Sequence, residues 1–221
     1  KGYFEFKEDP SKLIQTILES KVLPSKNPYA YFASPKYVCD RIIRLSNLNE
    51  YSTDIKILDP SAGQGNILEA LPEFECKNII ILDCEIDHLN QEILKSKNYK
   101  IVGEDFLTYS TNIRYDYILM NPPFSVEGDS YAYMTHIYKA WELLSEYGKL
   151  ISVTNGDSWE IRDNKAYKQF RDFISDKLTH YERIPEKTFE KTPISTRLIV
   201  LKKQNRFVKP TCGYPSEYAW E

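Results

Sequence analysis

The segment from residue 55 to residue 71 constrains the fold more than any other part of this 221-residue chain. A short apolar strand pattern at residues 55–58 runs into a loop of small residues, and a helical pattern begins after the loop at Asn66. The same order of strand, loop and helix recurs at residues 78–96, so strands and helices alternate along the chain. Alternation of this kind is typical of an α/β domain with a largely parallel sheet.

Hydrophobic periodicity predicts six helices and seven strands in this chain. The helices are predicted at residues 11–19, 35–48, 66–71, 88–96, 131–147 and 165–177. The strands are predicted at residues 55–58, 78–82, 100–102, 115–120, 149–154, 181–185 and 196–203. The connection between the last two strands is too short for a crossover helix, so these strands are expected to form an antiparallel hairpin. The sequence therefore predicts a seven-stranded, mostly parallel sheet that ends in a hairpin.

The loop after the first strand has the composition of a ligand-binding turn. Gly63 and Gly65 allow the backbone to approach a ligand closely, and the helix that follows offers free N–H groups to a carboxylate or phosphate. The loop lacks the three-glycine spacing of a dinucleotide fingerprint and the lysine of a phosphate-binding loop. S-adenosylmethionine fits better, because its carboxylate and ammonium groups suit a glycine loop flanked by an acidic side chain such as Asp59.

Acidic residues follow the next two predicted strands. An acid at the end of the second strand typically binds ribose hydroxyls in doubly wound folds, which favours Glu85 and leaves Asp87 as the alternative. After the third strand, Asp105 could accept a hydrogen bond from the adenine of the cofactor, and Phe106 could pack on its face. Each acid taken singly also suits a helix cap or a solvated turn. Their joint occurrence at successive strand ends favours a cofactor site.

The tetrapeptide Asn121-Pro122-Pro123-Phe124 places an amide, a proline carbonyl and an aromatic ring at a strand end. The lone pair of an adenine amino group is delocalised into the ring, so a catalyst must localise that pair. The Asn121 side-chain oxygen and the Pro122 carbonyl could each accept one amino hydrogen, while Phe124 stacks on the base. The alternative is an ordinary strand-to-loop transition, because Asn-Pro is common in turns.

Together these motifs resemble the adenine-N6, amino-methylating class of S-adenosylmethionine-dependent methyltransferases. The resemblance covers residues 31–203 and implies a class I, Rossmann-like methyltransferase fold. It implies a catalytic group made of Asn121, Pro122, Pro123 and Phe124. It implies that the bound cofactor is covered by Phe32, Ser34 and Pro35. It implies further cofactor contacts from Asp59, Ser61, Ala62, Gly63, Gly65, Glu85, Ile86, Asp105 and Phe106.

Phe189 resembles the second ring that sandwiches a flipped base in this family, although it also suits the core of a hairpin. The surrounding region is basic: residues 162–209 contain 13 Lys and Arg against 6 Asp and Glu, whereas residues 1–161 contain 16 against 24. Phosphate affinity depends on local positive potential, so we expect Lys187, Lys191 and Arg197 to contact the phosphates of a nucleic acid. The alternative is a solvated helix face and a charged edge strand.

Other site classes find little support in the sequence. The three histidines and four cysteines lack metal-ligand spacing, so no metal is expected, and the cysteines are expected to be reduced thiols. No apolar run approaches the length of a membrane span. We therefore expect a cytoplasmic protein, and the family resemblance implies a bacterial, phage or plasmid context.

Three segments are predicted: an N-terminal extension at 1–30, a catalytic domain at 31–203 and a tail at 204–221 without a separate target-recognition domain. Recognition would then come from loops 125–130 and 188–195, from a partner protein, or from a segment outside this sequence, which begins at Lys1.

The sequence thus predicts a DNA methyltransferase that transfers a methyl group to the N6 of a flipped adenine. RNA adenine is the second substrate that the motif allows, and a glutamine side chain in a protein is a more distant one. A different class is a catalytically silent adaptor for a partner methyltransferase.

Overall fold

The computed structural model describes residues 31–75, 78–186, 188–189 and 195–203, together with the single residues 9, 11, 15 and 18. The predicted helix at residues 11–19, apart from three of its positions, lies outside the described residues. The same is true of almost all of the predicted N-terminal extension and of the whole tail at 204–221. Lys187 and Lys191 also lie outside them.

Helices and strands alternate along the described chain. The helices are α1 (Lys36–Ser46), α2 (Asn66–Glu69), α3 (His88–Ser96), α4 (Ala132–Leu143), α5 (Gly156–Ile161) and α6 (Lys165–Ile174). The strands are β1 (Lys56–Asp59), β2 (Ile80–Cys84), β3 (Ile101–Gly103), β4 (Tyr115–Met120), β5 (Leu144–Asn155), β6 (Leu178–Arg183) and β7 (Thr196–Lys202).

These strands form one seven-stranded sheet in the order β3-β2-β1-β4-β5-β7-β6. The five strands from β3 to β5 in this order are parallel, and β7 runs antiparallel to both β5 and β6. The predicted mostly parallel sheet with a terminal hairpin is confirmed. The strand order reverses between β1 and β4, and ligands of open α/β sheets bind outside the carboxyl ends of the strands at such a point.

Two apolar layers cover the two faces of the sheet. Side chains alternate between them along each strand: Ile118 and Met120 of β4 face the cluster around α4 and α6, and Leu119 faces the cluster around α1. Burial on both faces explains why the central strands read as continuous apolar runs in the sequence. The packed layers hold the carboxyl ends of β1 and β4 in fixed positions.

The structure differs from the prediction most clearly at two places. The helix expected at residues 131–147 ends at Leu143, and β5 begins one residue later because Leu144 pairs with Tyr115 of β4. Apolar residues at this junction suit either element, so periodicity alone could not place the boundary. The six-residue helix α5 was not predicted, because it is too short to show a helical period and begins with Gly156.

Candidate functional site

A cavity of about 340 Å³ lies at the switch point between β1 and β4. It is lined by thirteen of the predicted site residues: Phe32, Ser34, Ser61, Ala62, Glu85, Ile86, Asp105, Phe106, Asn121, Pro122, Pro123, Phe124 and Phe189. The volume is in the range of small-molecule and cofactor sites. The structure therefore brings the predicted cofactor motifs and the predicted catalytic motif to one cavity.

The glycine loop connects β1 to α2 at the edge of the cavity. Gly63 and Gly65 have φ values of 56° and 88°, a backbone region that favours glycine. A Cβ atom on Gly63 would lie 2.3 Å from Cε2 of Tyr31, so the Tyr31 ring packs directly on this turn. The loop is closed by a hydrogen bond from the Gly65 amide to the Ala62 carbonyl at 2.8 Å. Glycine is required at both positions for conformational or steric reasons.

Glu85 follows β2 and binds the glycine loop. Its Oε2 accepts a hydrogen bond from the Gly63 amide at 2.6 Å, and its Oε1 accepts one from the Asp87 amide at 2.8 Å. Burial raises the pKa of the Glu85 carboxyl, although these two hydrogen bonds oppose the shift. Asp87 instead caps α3, accepting from the amides of Leu89 and Asn90. The structure therefore shows Asp87 as the cap of α3, which is the helix-cap alternative.

Asp105 and Phe106 occupy the loop after β3. The Asp105 carboxylate accepts from the Leu107 amide at 2.9 Å, and the Phe106 ring is buried with its centroid 5.7 Å from that of His136. His136 also lines the cavity and was not predicted as a site residue. Its Nδ1 hydrogen bonds to the Ala132 carbonyl at 2.7 Å, and burial lowers its pKa, so the ring is neutral at physiological pH. Its helical position four residues after Ala132 gave no signal of a ligand site.

The tetrapeptide 121–124 follows the carboxyl end of β4 and lines the same cavity as Ser61 and Ala62 of the glycine loop. The Asn121 Nδ2 donates hydrogen bonds to the Phe32 carbonyl at 3.2 Å and to the Ser34 hydroxyl at 3.1 Å. The Phe124 ring is partly buried and packs edge-on against Tyr133, with centroids 6.2 Å apart. A polar amide and an aromatic face therefore border the same space.

Four predicted cofactor residues lie beside the cavity rather than on its wall: Pro35, Asp59, Gly63 and Gly65. Pro35 caps α1, where its carbonyl accepts from the Val38 and Cys39 amides. Asp59 is fully buried, and its Oδ1 accepts from the Ser61 amide at 3.1 Å. These residues are adjacent in sequence to residues that line the cavity. Their direct contacts with a cofactor remain predictions.

Asp59 and Asp83 are register partners on β1 and β2, and both carboxyl groups are fully buried. Asp59 Oδ2 and both oxygens of Asp83 have no hydrogen-bond partner among the described residues. Burial and the charge of Glu85 raise the pKa of Asp83 to about 6, and the pKa of Asp59 is also well above its usual range, mainly through burial. Two buried carboxylates side by side destabilise the fold when both are ionised.

We predict that Asp83→Asn stabilises the protein at neutral pH. Between the ordinary Asp pKa of about 4 and the folded value of about 6, the folded wild type holds a proton that the unfolded chain has released, so its stability falls as pH rises. The variant should not lose stability in this pH range. Above pH 6 its free energy of unfolding should therefore exceed that of the wild type by about 1–3 kcal/mol. Urea unfolding across pH 4–8 measures the effect, with the exposed Asp40→Asn as control. An equal stability difference at pH 4 and pH 7 would contradict the assignment.

Phe189 and Arg197 were both predicted to contact the nucleic acid, and the structure separates them. Phe189 lines the cavity and is largely buried in the layer that contains α1. Arg197 is only 1% exposed and pairs with Glu160 through Nε–Oε1 and Nη2–Oε2 contacts of 2.8 Å each. The predicted contact between Arg197 and phosphate is wrong, because a buried, paired guanidinium is closed to a nucleic acid. Both faces of β7 are buried from Thr196 to Leu201, so the Arg197 side chain lies inside the protein.

The predicted basic region at residues 162–209 includes α6, whose positive charge is partly neutralised within the chain. Asp163 pairs with Lys168 at 3.0 Å and with Arg171 at 2.9 Å. Arg171 also donates to the carbonyls of Trp159 and Arg162. Within the described chain, the solvated-face alternative therefore fits α6 better than a phosphate-binding surface does.

No cluster of three or more His, Cys, Asp and Glu side chains suitable for a metal ion is found in the described part of the chain. None of the described helices has both the length and the apolar character needed to cross a membrane.

Comparison with known proteins then identifies the family. A family model, the methyltransferase small domain, matches residues 42–171, which is more than half of the chain. The chain belongs to this methyltransferase family. Its sheet order and terminal hairpin match the class I, Rossmann-like methyltransferase fold, and the motifs are consistent with the S-adenosylmethionine-dependent N6-adenine methyltransferases.

Two viral proteins and one solved structure are similar to this methyltransferase domain. Modification methylase CviBIII from Paramecium bursaria Chlorella virus NC1A is 28% identical over 109 residues, covering 48% of this chain and 29% of the relative. Type II methyltransferase M.CvrRI from Paramecium bursaria Chlorella virus XZ-6E is 24% identical over 207 residues, covering 86% of this chain and 51% of the relative.

A similar solved structure is the methyltransferase subunit of a type I restriction-modification system from Streptococcus thermophilus. It has a TM-score of 0.68 and 18% identity over 79% of this chain and 45% of that chain, and this likeness shows the fold. The methyltransferase domain spans about half or less of the length of each of these proteins.

Proposed function

We propose that this domain transfers a methyl group from S-adenosylmethionine to the exocyclic N6 of an adenine in DNA. The observation that carries the proposal is the convergence of Asn121, Phe124, Glu85 and the glycine loop on one cavity. An amino-group acceptor motif and a cofactor-binding motif within the same 340 Å³ space are what direct transfer between two bound molecules requires.

The residues of the cavity fit the proposed cofactor. The Glu85 carboxylate accepts two backbone hydrogen bonds and one from the Asn90 side chain, and its remaining lone pair is available to a ribose hydroxyl. Ser61 Oγ is buried without a hydrogen-bond partner among the described residues, which suits a polar end group of the ligand at the loop. Asp105 and Phe106 offer an acceptor and a ring edge to the adenine of the cofactor, beside Ile86 and His136. Tyr31 also lines the cavity, and its ring packs on the glycine turn.

On the acceptor side, the Asn121 Oδ1 and the Pro122 carbonyl would each accept one hydrogen of the adenine amino group. This draws the nitrogen lone pair out of the ring system and directs it at the methyl carbon. When bound, the cofactor would supply an electrophilic methyl group on a sulfonium. The N–C bond would form as the C–S bond breaks, and the amino proton would pass to Asn121, to the Pro122 carbonyl or to water. Phe124 and Phe189, which line the same cavity, would hold the flipped base by stacking.

DNA is favoured because the similar proteins are named for modification and restriction-modification. Because the domain spans only part of each of them, we propose that sequence recognition depends on loop 125–130, on a partner subunit or on a further segment. A protein that modifies intracellular DNA would work in the cytoplasm of its host cell.

A transfer assay with methyl-labelled S-adenosylmethionine tests the proposed function. Duplex DNA, single-stranded DNA, ribosomal RNA and protein are offered separately, and label is expected in DNA. Label in RNA alone would move the substrate to RNA. Cofactor binding without transfer to any nucleic acid would favour the silent adaptor and overturn the proposal.

We predict that Glu85→Ala weakens S-adenosylmethionine binding. The variant loses a charged acceptor for the ribose and also releases the Gly63 amide, for a combined cost of about 1.5–3 kcal/mol. This corresponds to an increase in Kd of about tenfold or more, measurable by calorimetry. Glu92→Ala on α3 is the control, because Glu92 is exposed and pairs only with Lys95 among the described residues. Unchanged affinity in Glu85→Ala would remove Glu85 from the cofactor site.

A further inference from the structure

The orientation of the Asn121 side-chain amide is fixed by the segment that precedes α1. A backbone carbonyl can only accept, so the group 3.2 Å from the Phe32 carbonyl must be the amide nitrogen Nδ2. The second Nδ2 hydrogen is taken by the Ser34 hydroxyl at 3.1 Å. No group in the described part of the chain donates to Asn121 Oδ1, which leaves this oxygen for a ligand in the cavity.

Ser34 connects the two halves of the site. Its carbonyl accepts a hydrogen bond from Asn66 Nδ2 at 2.9 Å, and Asn66 is the first residue of the helix that follows the glycine loop. Its hydroxyl holds Asn121 at the end of β4. Ser34 is only 8% exposed and lines the cavity, so solvent competes weakly for these hydrogen bonds. The resemblance assigned Ser34 only to covering the cofactor.

We infer that Ser34 is a positioning residue for methyl transfer: it holds the Asn121 amide so that Oδ1, and not Nδ2, faces the acceptor amino group. An amide rotated by 180° would present two N–H donors to the two N–H donors of the substrate, which removes the acceptor that localises the lone pair. The Phe32 carbonyl and the Ser34 hydroxyl together disfavour that rotation. This inference rests on the proposed function.

Kinetics of three variants separate positioning from a structural or cofactor-binding role. Ser34→Ala removes the hydroxyl that accepts from Asn121, and Ser34→Thr keeps it. Ser46→Ala deletes another buried hydroxyl at the far end of α1, where it donates to the Ile43 carbonyl and accepts from the Leu48 amide. At saturating S-adenosylmethionine we expect kcat of Ser34→Ala to fall about fivefold to tenfold, as expected for one lost hydrogen bond. Its cofactor Kd should stay within about twofold of wild type, and Ser34→Thr should recover most of the loss. Ser46→Ala should match wild type in kcat.

The side-chain amide signals of Asn121 give a second measurement that needs no substrate. They are identified in the NMR spectrum of ¹⁵N-labelled protein by their loss in Asn121→Ala. We expect them to shift and to exchange faster with solvent in Ser34→Ala, and to stay as in wild type in Ser46→Ala. If the proposed function is wrong, the wild type will not transfer methyl groups. The NMR comparison of Ser34→Ala with wild type can still be interpreted in that case. Unchanged Asn121 signals in Ser34→Ala overturn the inference, and so does an unchanged kcat with a weakened cofactor Kd.

Discussion

The Asn121→Ala variant is expected to transfer methyl groups at least about a hundredfold more slowly than the wild type, because loss of one preorganised polar group at a reacting centre costs roughly 10²- to 10³-fold in kcat. The amide acts on the acceptor base, so S-adenosylmethionine affinity should stay close to that of the wild type. The loss should therefore appear in turnover under saturating cofactor and not in calorimetric binding.

Asn112→Ala is a suitable control for this experiment, because Asn112 lies exposed in the loop before β4. Thermal unfolding of both variants tests whether the fold is intact. Transfer by Asn121→Ala at the wild-type rate would show that the catalytic centre lies elsewhere in the protein.

The Arg197→Met variant is expected to lose about 3–5 kcal/mol of unfolding free energy, because it leaves the Glu160 carboxylate buried and unpaired. The arginine also packs on Gly156, where an added Cβ would lie 2.3 Å from Arg197 Cγ. Urea unfolding measures the loss. The double variant Arg197→Met/Glu160→Leu should recover much of it, because removal of both charges is far less costly than removal of one.

Arg183→Met provides the matched control. Arg183 is the register partner of Arg197 on β6, but its side chain is exposed, so we expect a change within about 0.5 kcal/mol. If Arg197→Met retained wild-type stability and instead weakened DNA binding with a flatter salt dependence, the buried ion pair would be wrong and the original phosphate assignment would stand.

Sequence patterns predicted the fold well where a buried strand is bounded by polar or turn-forming residues. The bounds of β4 and α3 agree with the prediction, because the apolar run of β4 stops at Asn121 and α3 begins after the capping residue Asp87. The parallel sheet brings strand ends together at one edge, so residues from Ser61 to Asn121, 60 positions apart, could be assigned to one cavity from sequence alone.

Other features depended on contacts that no local pattern encodes. Arg197 was predicted to be exposed because it is a basic residue on a terminal strand. It is buried because it pairs with Glu160, which lies on a helix too short to predict. The hydrogen bond between Ser34 and Asn121 joins residues 87 positions apart, so it became visible only in three dimensions. His136 lines the cavity because α4 packs beside Phe106, which helical periodicity alone cannot indicate.

Identification of the methylated nucleoside tests the proposed chemistry most directly. Duplex DNA rich in varied adenine contexts is incubated with the protein and S-adenosylmethionine, digested to nucleosides and analysed by mass spectrometry. We expect N6-methyl-2′-deoxyadenosine from the wild type and none from Asn121→Ala. A methyl group found only on cytosine or on a protein side chain, or equal N6-methyladenine from both proteins, would contradict the assignment of Asn121 and Pro122 to the adenine amino group.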